Sequence, residues 1–123
     1  MAINPSDMSS ADLESLLTEY MGDPVFAKRF CECIEIIRKK NADYSQGEQK
    51  KDRIAGFRAV ARDLELPMRK VWGVFFSKHI QAIKKFLKDG FVESEPIDQR
   101  INDAINYLVL LGPIIDEMKK EEG

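Results

Sequence analysis

The sequence has few of the residues from which common chemical sites are built. It contains one histidine, His79, and two cysteines, Cys31 and Cys33. Structural zinc sites take about four such ligands, so this count argues against one. On a helix, residues two apart point about 200° away from each other, so we expect no disulfide between the cysteines. There is also no glycine-rich phosphate loop and no nucleophile motif.

A large charge of one sign and long apolar runs are also missing. The chain has 19 basic and 21 acidic residues, a formal net charge of −2. Nucleic-acid binding would therefore need a local basic patch, and we do not expect it. The N-terminus lacks a signal pattern, and no apolar run is long enough to span a bilayer. We expect a cytoplasmic protein with no membrane contact.

The remaining composition is that of a globular protein with an ordinary core. The chain has 123 residues, of which 44% are hydrophobic and 33% are charged, enough for one domain. Apolar residues recur at helical spacing nearly throughout, which predicts an all-α, single-domain bundle of four to five helices. We expect a flexible arm over residues 1–8, the helical domain over 9–118 and a charged tail over 119–123.

Capping and breaking residues set the expected limits of the helices. Ser9 or Ser10 can cap the first helix, Gly22 can end it, and Asp23-Pro24 can start the second. The second helix is expected to end near Asn41, and the polar residues 42–49 are typical of a loop. The expected helices span about 9–22, 24–41, 50–64, 67–89 and 96–118. In the last of them, Gly112-Pro113 predicts a bend or an interruption.

The last helix is apolar on two sides. One stripe contains Ile101, Ala104, Ile105, Leu108, Gly112 and Ile115, and the opposite one contains Asp103, Tyr107, Leu110 and Ile114. Such a helix is either central in a bundle or shared with another subunit. Because a chain of this size has few layers to hide a central helix, we expect a homo-oligomer.

Two polar residues of this helix, Asp103 and Asn106, stand next to the apolar run 107–111. A buried polar group without a partner costs about 2–7 kcal/mol, so a protein group, a metal or a ligand should meet them. Asp103 together with Glu95 and Asp98 could bind Mg²⁺, which prefers carboxylate oxygens. Alternatively, Glu95 and Asp98 are first-turn acids that the helix dipole favours.

Other candidate residues also have an ordinary structural interpretation. His79 lies on the apolar stripe of the fourth helix, as a core histidine or as a pocket-edge contact to an anion. Its neighbour Lys78 is either solvated or meets an anionic ligand. Glu32 and Glu35, one turn apart, are either a solvated face or a metal-binding pair.

Several short segments together resemble the phage and prophage nucleotide-modification-associated domain family. They are Lys40-Asn-Ala-Asp-Tyr44, Phe57, Lys78-His79, Glu95 and the stretch from Asp103 to Leu111. The resemblance covers roughly residues 30–111, and its most specific element is Asp103, Asn106 and Tyr107. It implies a nucleotide ligand that contacts these ligand-binding residues: Asn106, Tyr107, Lys78, His79, Lys40, Asp43 and Tyr44.

The last helix is also similar to the second metal-binding helix of MazG-type nucleoside triphosphate pyrophosphohydrolases. Those enzymes are all-helical, oligomeric and Mg²⁺-dependent. Asp103 matches the final acid of their Glu-x-x-Asp pattern, while Arg100 stands at the Glu position. Glu32 and Glu35 resemble part of the first acidic helix. This resemblance implies hydrolysis of a nucleotide with Asp103 and Glu95 as catalytic residues and Mg²⁺ held by Asp103, Asp98 and Glu95.

Three functional hypotheses follow from these observations. The first is a phage-type nucleotide-binding protein with pyrophosphohydrolase-like activity. The second is a non-catalytic anti-defence protein that sequesters a signalling nucleotide, which the departure at Arg100 favours. The third is an inhibitor of a host protein, which the two-sided last helix favours.

Overall fold

The computed structural model consists of α-helices joined by short connections, and it describes residues 7–45, 52–92 and 95–122. These residues form five helices and no strand, which confirms the all-α prediction. The helices are α1 (Ser10–Met21), α2 (Pro24–Ser45), α3 (Ala55–Leu64), α4 (Met68–Asp89) and α5 (Ile97–Glu122). Within the described ranges, no helix is both long and apolar enough to cross a membrane.

The chain divides into two compact units, Met1–Asp43 and Tyr44–Gly123. The first unit contains α1 and nearly all of α2, and the second contains α3, α4 and α5. The single domain expected over residues 9–118 spans both units.

The first unit begins with a capping box at α1. The Ser9 hydroxyl accepts a hydrogen bond from the backbone of Asp12 at 3.1 Å, and the Asp12 carboxylate accepts one from the backbone of Ser9 at 3.4 Å. Gly22 ends α1 in the left-handed region with φ 73°, and its N–H donates to the Thr18 carbonyl at 2.8 Å. Glycine adopts this conformation without steric cost, so both predicted ends of α1 are confirmed.

Helix α2 follows after a two-residue turn and packs back on α1. The Asp23 carboxylate caps it, accepting from the backbone N–H groups of Val25 and Phe26 at 2.8 and 3.1 Å. About two turns into α2, the thiol of Cys31 donates to the backbone carbonyl of Ser10 in α1 at 3.5 Å. Neither cysteine forms a disulfide, as expected, and both are buried. Burial, reinforced by the neighbouring Glu14, raises the pKa of the Cys31 thiol, so the thiolate that reacts as a nucleophile is disfavoured.

The end of α2 and the start of α3 differ from the sequence predictions. Helix α2 continues to Ser45, so residues 42–45 are helical and not part of a loop. Polar residues at the end of a helix carry a weak stop signal when no glycine or proline follows directly. Helix α3 starts at Ala55, later than the predicted residue 50, and in the turn before it the Asp52 carboxylate accepts from the backbone N–H of Ile54 at 3.2 Å.

The second unit is built around the pair α4 and α5, with α3 packed on α4. Helix α4 starts after Pro67 and ends at Gly90 with φ 84°, as predicted from the sequence. It buries Val71 and His79, two turns apart on one face.

Pro113 does not interrupt α5, contrary to the expectation from Gly112-Pro113. The helix runs unbroken from Ile97 to Glu122 with Pro113 inside it. Proline at this position removes the hydrogen bond to the Val109 carbonyl. Val109 is 59% exposed, so water can satisfy that carbonyl. The helix also includes residues 119–122 of the expected tail, and they are exposed.

The two stripes of α5 have different environments. On the second stripe Ile114 is completely buried and Tyr107 is half-buried. On the first stripe Ala104 is buried, but Leu108 and Ile115 remain 53% and 40% exposed. The α5 helix therefore uses its second stripe for the core and presents the C-terminal half of the first to solvent.

Candidate functional site

The polar residues buried in the described part of the chain all lie on α4 and α5. They are His79, Asn102 and Asn106. Asn102 and Asn106 are one helical turn apart on α5. Buried polar groups need specific partners and add little net stability, so their concentration on one helix pair marks this region as the candidate site.

His79 meets Arg100 across the interface between the two helices. Its Nδ1 lies 3.4 Å from Nη1 of Arg100, and the histidine is only 4% exposed. A guanidinium can only donate, so Nδ1 accepts in this contact and a neutral ring carries its proton on Nε2. The burial of the histidine favours its interpretation as a core residue, and a contact of His79 with an anion stays a prediction.

Arg100 also contacts Glu95, which lies just before α5. The Nε atom of Arg100 is 3.5 Å from Oε2 of Glu95, and the two side chains are 14% and 40% exposed. The guanidinium thus stands between a carboxylate near the surface and an imidazole in the interior. We call His79, Glu95, Arg100 and Tyr107 the α4–α5 polar cluster.

Tyr107 completes the cluster and connects it to aromatic rings. Its ring centroid is 4.9 Å from that of His79 and 6.1 Å from that of Phe57 on α3. Its backbone carbonyl accepts from Trp72 Nε1 at 2.8 Å, and Trp72 stacks on Phe76 with centroids 4.6 Å apart. These contacts join Tyr107 on α5 to Trp72 on α4 and to Phe57 on α3, so all three helices of the second unit help to position it.

An ion-pair network holds the beginning of α3 against the end of α5. The guanidinium of Arg58 donates one hydrogen bond to Asp52 and another to Glu117. These bonds, the one to Glu117 first, raise the pKa of Arg58 above its ordinary value. The bond from Arg58 lowers the pKa of Asp52 below 3.8, with help from the backbone of Ile54 and against a smaller effect of burial.

Asp103, one of the two expected catalytic acids, is half-buried on α5. Among the residues that the structure describes, no three His, Cys, Asp or Glu side chains are placed to share a metal ion. Asp103, Asp98 and Glu95 therefore do not form such a group, and Glu95 is paired with Arg100. Magnesium binding by these three acids is not supported by their arrangement and stays a prediction.

The other predicted ligand contacts are distributed over both units. Lys78 is exposed on α4, next to His79 in sequence but on a different side of the helix. Lys40 is exposed on α2, in the first unit. Asp43 and Tyr44 lie outside the residues whose side chains the structure describes. Of the predicted site residues, the structure thus joins His79 and Glu95 through Arg100 and places the Tyr107 ring beside that of His79.

The acidic pair of α2 has local arginine partners. Oε2 of Glu32 lies 3.8 Å from Nη1 of Arg29, and Oε1 of Glu35 lies 3.2 Å from Nη1 of Arg38. In each pair the two residues are about one helical turn apart. Such pairs are ordinary features of a helix surface. This arrangement favours the interpretation of Glu32 and Glu35 as surface residues.

Arg100 and Trp72 contribute to the cluster and were not among the residues predicted for it. Asn102 is buried one turn before Asn106, and both lie on a face of α5 that is rotated by roughly 100–160° from that of Arg100 and Tyr107. Trp72 was recognised only as part of an apolar stripe, and its hydrogen bond to the backbone of Tyr107 required the tertiary structure.

The cluster combines three chemical abilities. Arginine binds phosphate or carboxylate oxygens through paired N–H groups, histidine can add a further donor, and the tyrosine ring can stack on a planar group. These abilities suit an anionic ligand with an aromatic part.

Comparison of the chain with family models, with curated proteins and with solved structures gives no match.

Proposed function

We propose that this protein binds a nucleotide or a nucleotide-like phosphate compound at the α4–α5 polar cluster and sequesters it. The observation that carries the proposal is the position of Arg100, 14% exposed between His79 and Glu95. A guanidinium held at the edge of a core by two other side chains is fixed in direction, which lowers the entropic cost of binding an anion.

The aromatic surroundings support a nucleotide rather than a bare anion. Tyr107 lies beside His79 and Phe57, and its backbone is fixed by Trp72. A base stacked on an aromatic side chain gains about 1–3 kcal/mol.

Sequestration fits the cluster better than hydrolysis. Magnesium-assisted cleavage would draw on carboxylates near the phosphates, and the Glu95 carboxylate is already paired with Arg100. A second cation placed at Glu95 would be repelled by that guanidinium. Arg100, at the position where the pyrophosphohydrolases have an acid, instead supplies a positive charge for the ligand.

Calorimetric titration of the full chain with linear and cyclic nucleotides, with and without Mg²⁺, tests the proposal. We expect the protein to bind at least one of these nucleotides, and we expect no new product in the ³¹P NMR spectrum. Arg100→Gln should weaken binding about 10- to 100-fold, since a charge-assisted hydrogen bond contributes about 1.5–3 kcal/mol. Arg62→Gln, the same change in the last turn of α3, should leave affinity unchanged and serves as the control.

A second variant keeps the test decisive if Arg100→Gln is poorly folded. Arg100→Lys retains the charge but not the paired donors, so its affinity should fall between those of the wild type and the glutamine variant. Absence of binding to every nucleotide would refute the proposal. A product that disappears in Asp103→Ala would refute sequestration and establish the hydrolase instead.

A further inference from the structure

The α4–α5 polar cluster contains a carboxylate as well as a guanidinium, and the carboxylate is the more exposed of the two. Oε2 of Glu95 lies 3.5 Å from Nε of Arg100, with side-chain exposures of 40% and 14%. Charge-assisted hydrogen bonds between such groups measure about 2.7–2.9 Å, so this contact is an ion pair at longer range. An anion that approaches the Nε side of Arg100 from solvent therefore meets the glutamate first.

Both binding edges of the Arg100 guanidinium are bordered by residues of the cluster. Arginine binds a phosphate through two parallel N–H groups, either Nε with Nη2 or Nη1 with Nη2. The first edge has Glu95 beside Nε, and the second has the buried His79 beside Nη1, with 3.4 Å between Nη1 and Nδ1. A phosphate on the first edge has to displace the carboxylate, whereas His79 is neutral when it accepts in this contact.

The described residues of α3, α4 and α5 place no further cation beside Arg100. In α5, Arg100 is the only basic residue before Lys119, and Arg58 of α3 is engaged by Asp52 and Glu117. The basic residues of α4 are all exposed, and at 100° per residue they are rotated by about 80° or more from His79. They are Arg69, Lys70, Lys78, Lys84, Lys85 and Lys88.

A second acid lies on the same side of α5 as the guanidinium. Asp103 is half-buried and follows Arg100 by three residues, which is a rotation of about 60° and a little less than one turn. Arg100 contributes one positive charge, while Glu95 and Asp103 contribute one negative charge each. One guanidinium can hold one negative charge, but every additional charge on the ligand is repelled by the two carboxylates.

We infer that Glu95 selects the ligand by its charge, so that the cluster takes a nucleotide phosphodiester with a single negative charge in preference to a terminal phosphate. A phosphomonoester carries about 1.5–2 negative charges at pH 7, and a triphosphate carries more, whereas a diester such as a cyclic nucleotide carries one. This inference rests on the proposed binding of a nucleotide at the α4–α5 polar cluster, and it adds the class of phosphate that the cluster accepts.

Calorimetric titration of the full chain with matched nucleotides tests the inference. For adenosine, guanosine, cytidine and uridine, the 3′,5′-cyclic monophosphate is compared with the 5′-monophosphate in wild type and in Glu95→Gln. We expect the wild type to prefer the cyclic form. Glu95→Gln should raise the affinity for the cyclic form about 3-fold and for the 5′-monophosphate about 10-fold, because the second carries nearly twice the charge.

Two control variants separate charge from shape and from stability. Glu95→Asp keeps the charge and should keep the preference for the cyclic form. Glu117→Gln removes a carboxylate that is also paired with an arginine, 17 residues and about 25 Å further along α5, and should leave both affinities unchanged. Far-ultraviolet circular dichroism establishes that each variant is folded, and in the wild type itself the preference should narrow at high salt.

The outcomes distinguish this inference from the proposal on which it rests. Nucleotide binding that Glu95→Gln leaves unchanged, or strengthens equally for both forms, would overturn charge selection and leave the binding site standing. A wild type that prefers the 5′-monophosphate at low salt would overturn it in the same way. Absence of binding by the wild type and by Glu95→Gln would overturn both.

Discussion

The α1–α2 hairpin and the α4–α5 pair both expose apolar side chains, but they differ in what they bury. Among the residues that the structure describes, the hairpin buries only Ala27 and the two cysteines, while the α4–α5 pair buries His79 and two asparagines beside its apolar residues. Buried polar groups lose hydration and need specific partners, so the packing of the α4–α5 pair is the more demanding of the two. This difference is why the proposed ligand site lies on the helix pair.

The largest expected effect comes from comparing a buried residue of α5 with an exposed residue of the same helix. Ile114→Ala should lower the free energy of unfolding by about 2–5 kcal/mol, because Ile114 is completely buried and the change leaves a cavity. Ile115→Ala, next to it but 40% exposed, should cost much less. Urea unfolding followed by circular dichroism measures both. Equal costs would mean that α5 packs through its other stripe.

A smaller effect concerns the anchor that positions Tyr107. Trp72→Phe keeps a ring that can stack on Phe76 but removes the hydrogen bond to the Tyr107 carbonyl. The free energy of unfolding should fall by about 1 kcal/mol. Val74→Ala, at a position 69% exposed on the same helix, is the control in the same urea titration. If the two variants were equally stable, the hydrogen bond would not support the cluster.

The smallest effect is a dependence of stability on pH. Asp52 has a lower pKa in the folded chain than its ordinary value of 3.8, so its ion pair with Arg58 stabilises the fold above that value. The contribution is lost as the pH falls through the lower, folded-state pKa, and it amounts to no more than about 1 kcal/mol because the pair is partly exposed. In Asp52→Asn this part of the acid destabilisation should be absent, as thermal unfolding between pH 2 and about 6 would show.

The predicted ends of α1 and α4 are confirmed because local groups determine them. Ser9, Gly22 and Gly90 act through hydrogen bonds and backbone conformations that involve only near neighbours. The continuation of α5 through Pro113 was not predicted, since it depends on whether the freed carbonyl faces water, and that depends on packing. The start of α3 was placed too early, since its N-cap residue, Ile54, has no capping side chain that the sequence could reveal.

The candidate site shows a similar division. Asp103, His79 and Tyr107 stood out in the sequence by their chemistry and their place beside apolar runs. The role of Arg100 was not predicted, because it depends on two contacts that only the folded chain makes. One joins Arg100 to His79, 21 positions away, and the other joins it to Glu95, just before α5.

The amino-acid sequence by itself determined that this protein is helical and where most helices begin, because spacing and caps act over a single turn of chain. Only the tertiary structure decided which sides of those helices meet. It turned the second stripe of α5 to the core, set Arg100 between an imidazole and a carboxylate, and left the rings of the hairpin in solvent. Those choices depend on contacts between distant residues, whose energies are settled only when all the helices are packed together.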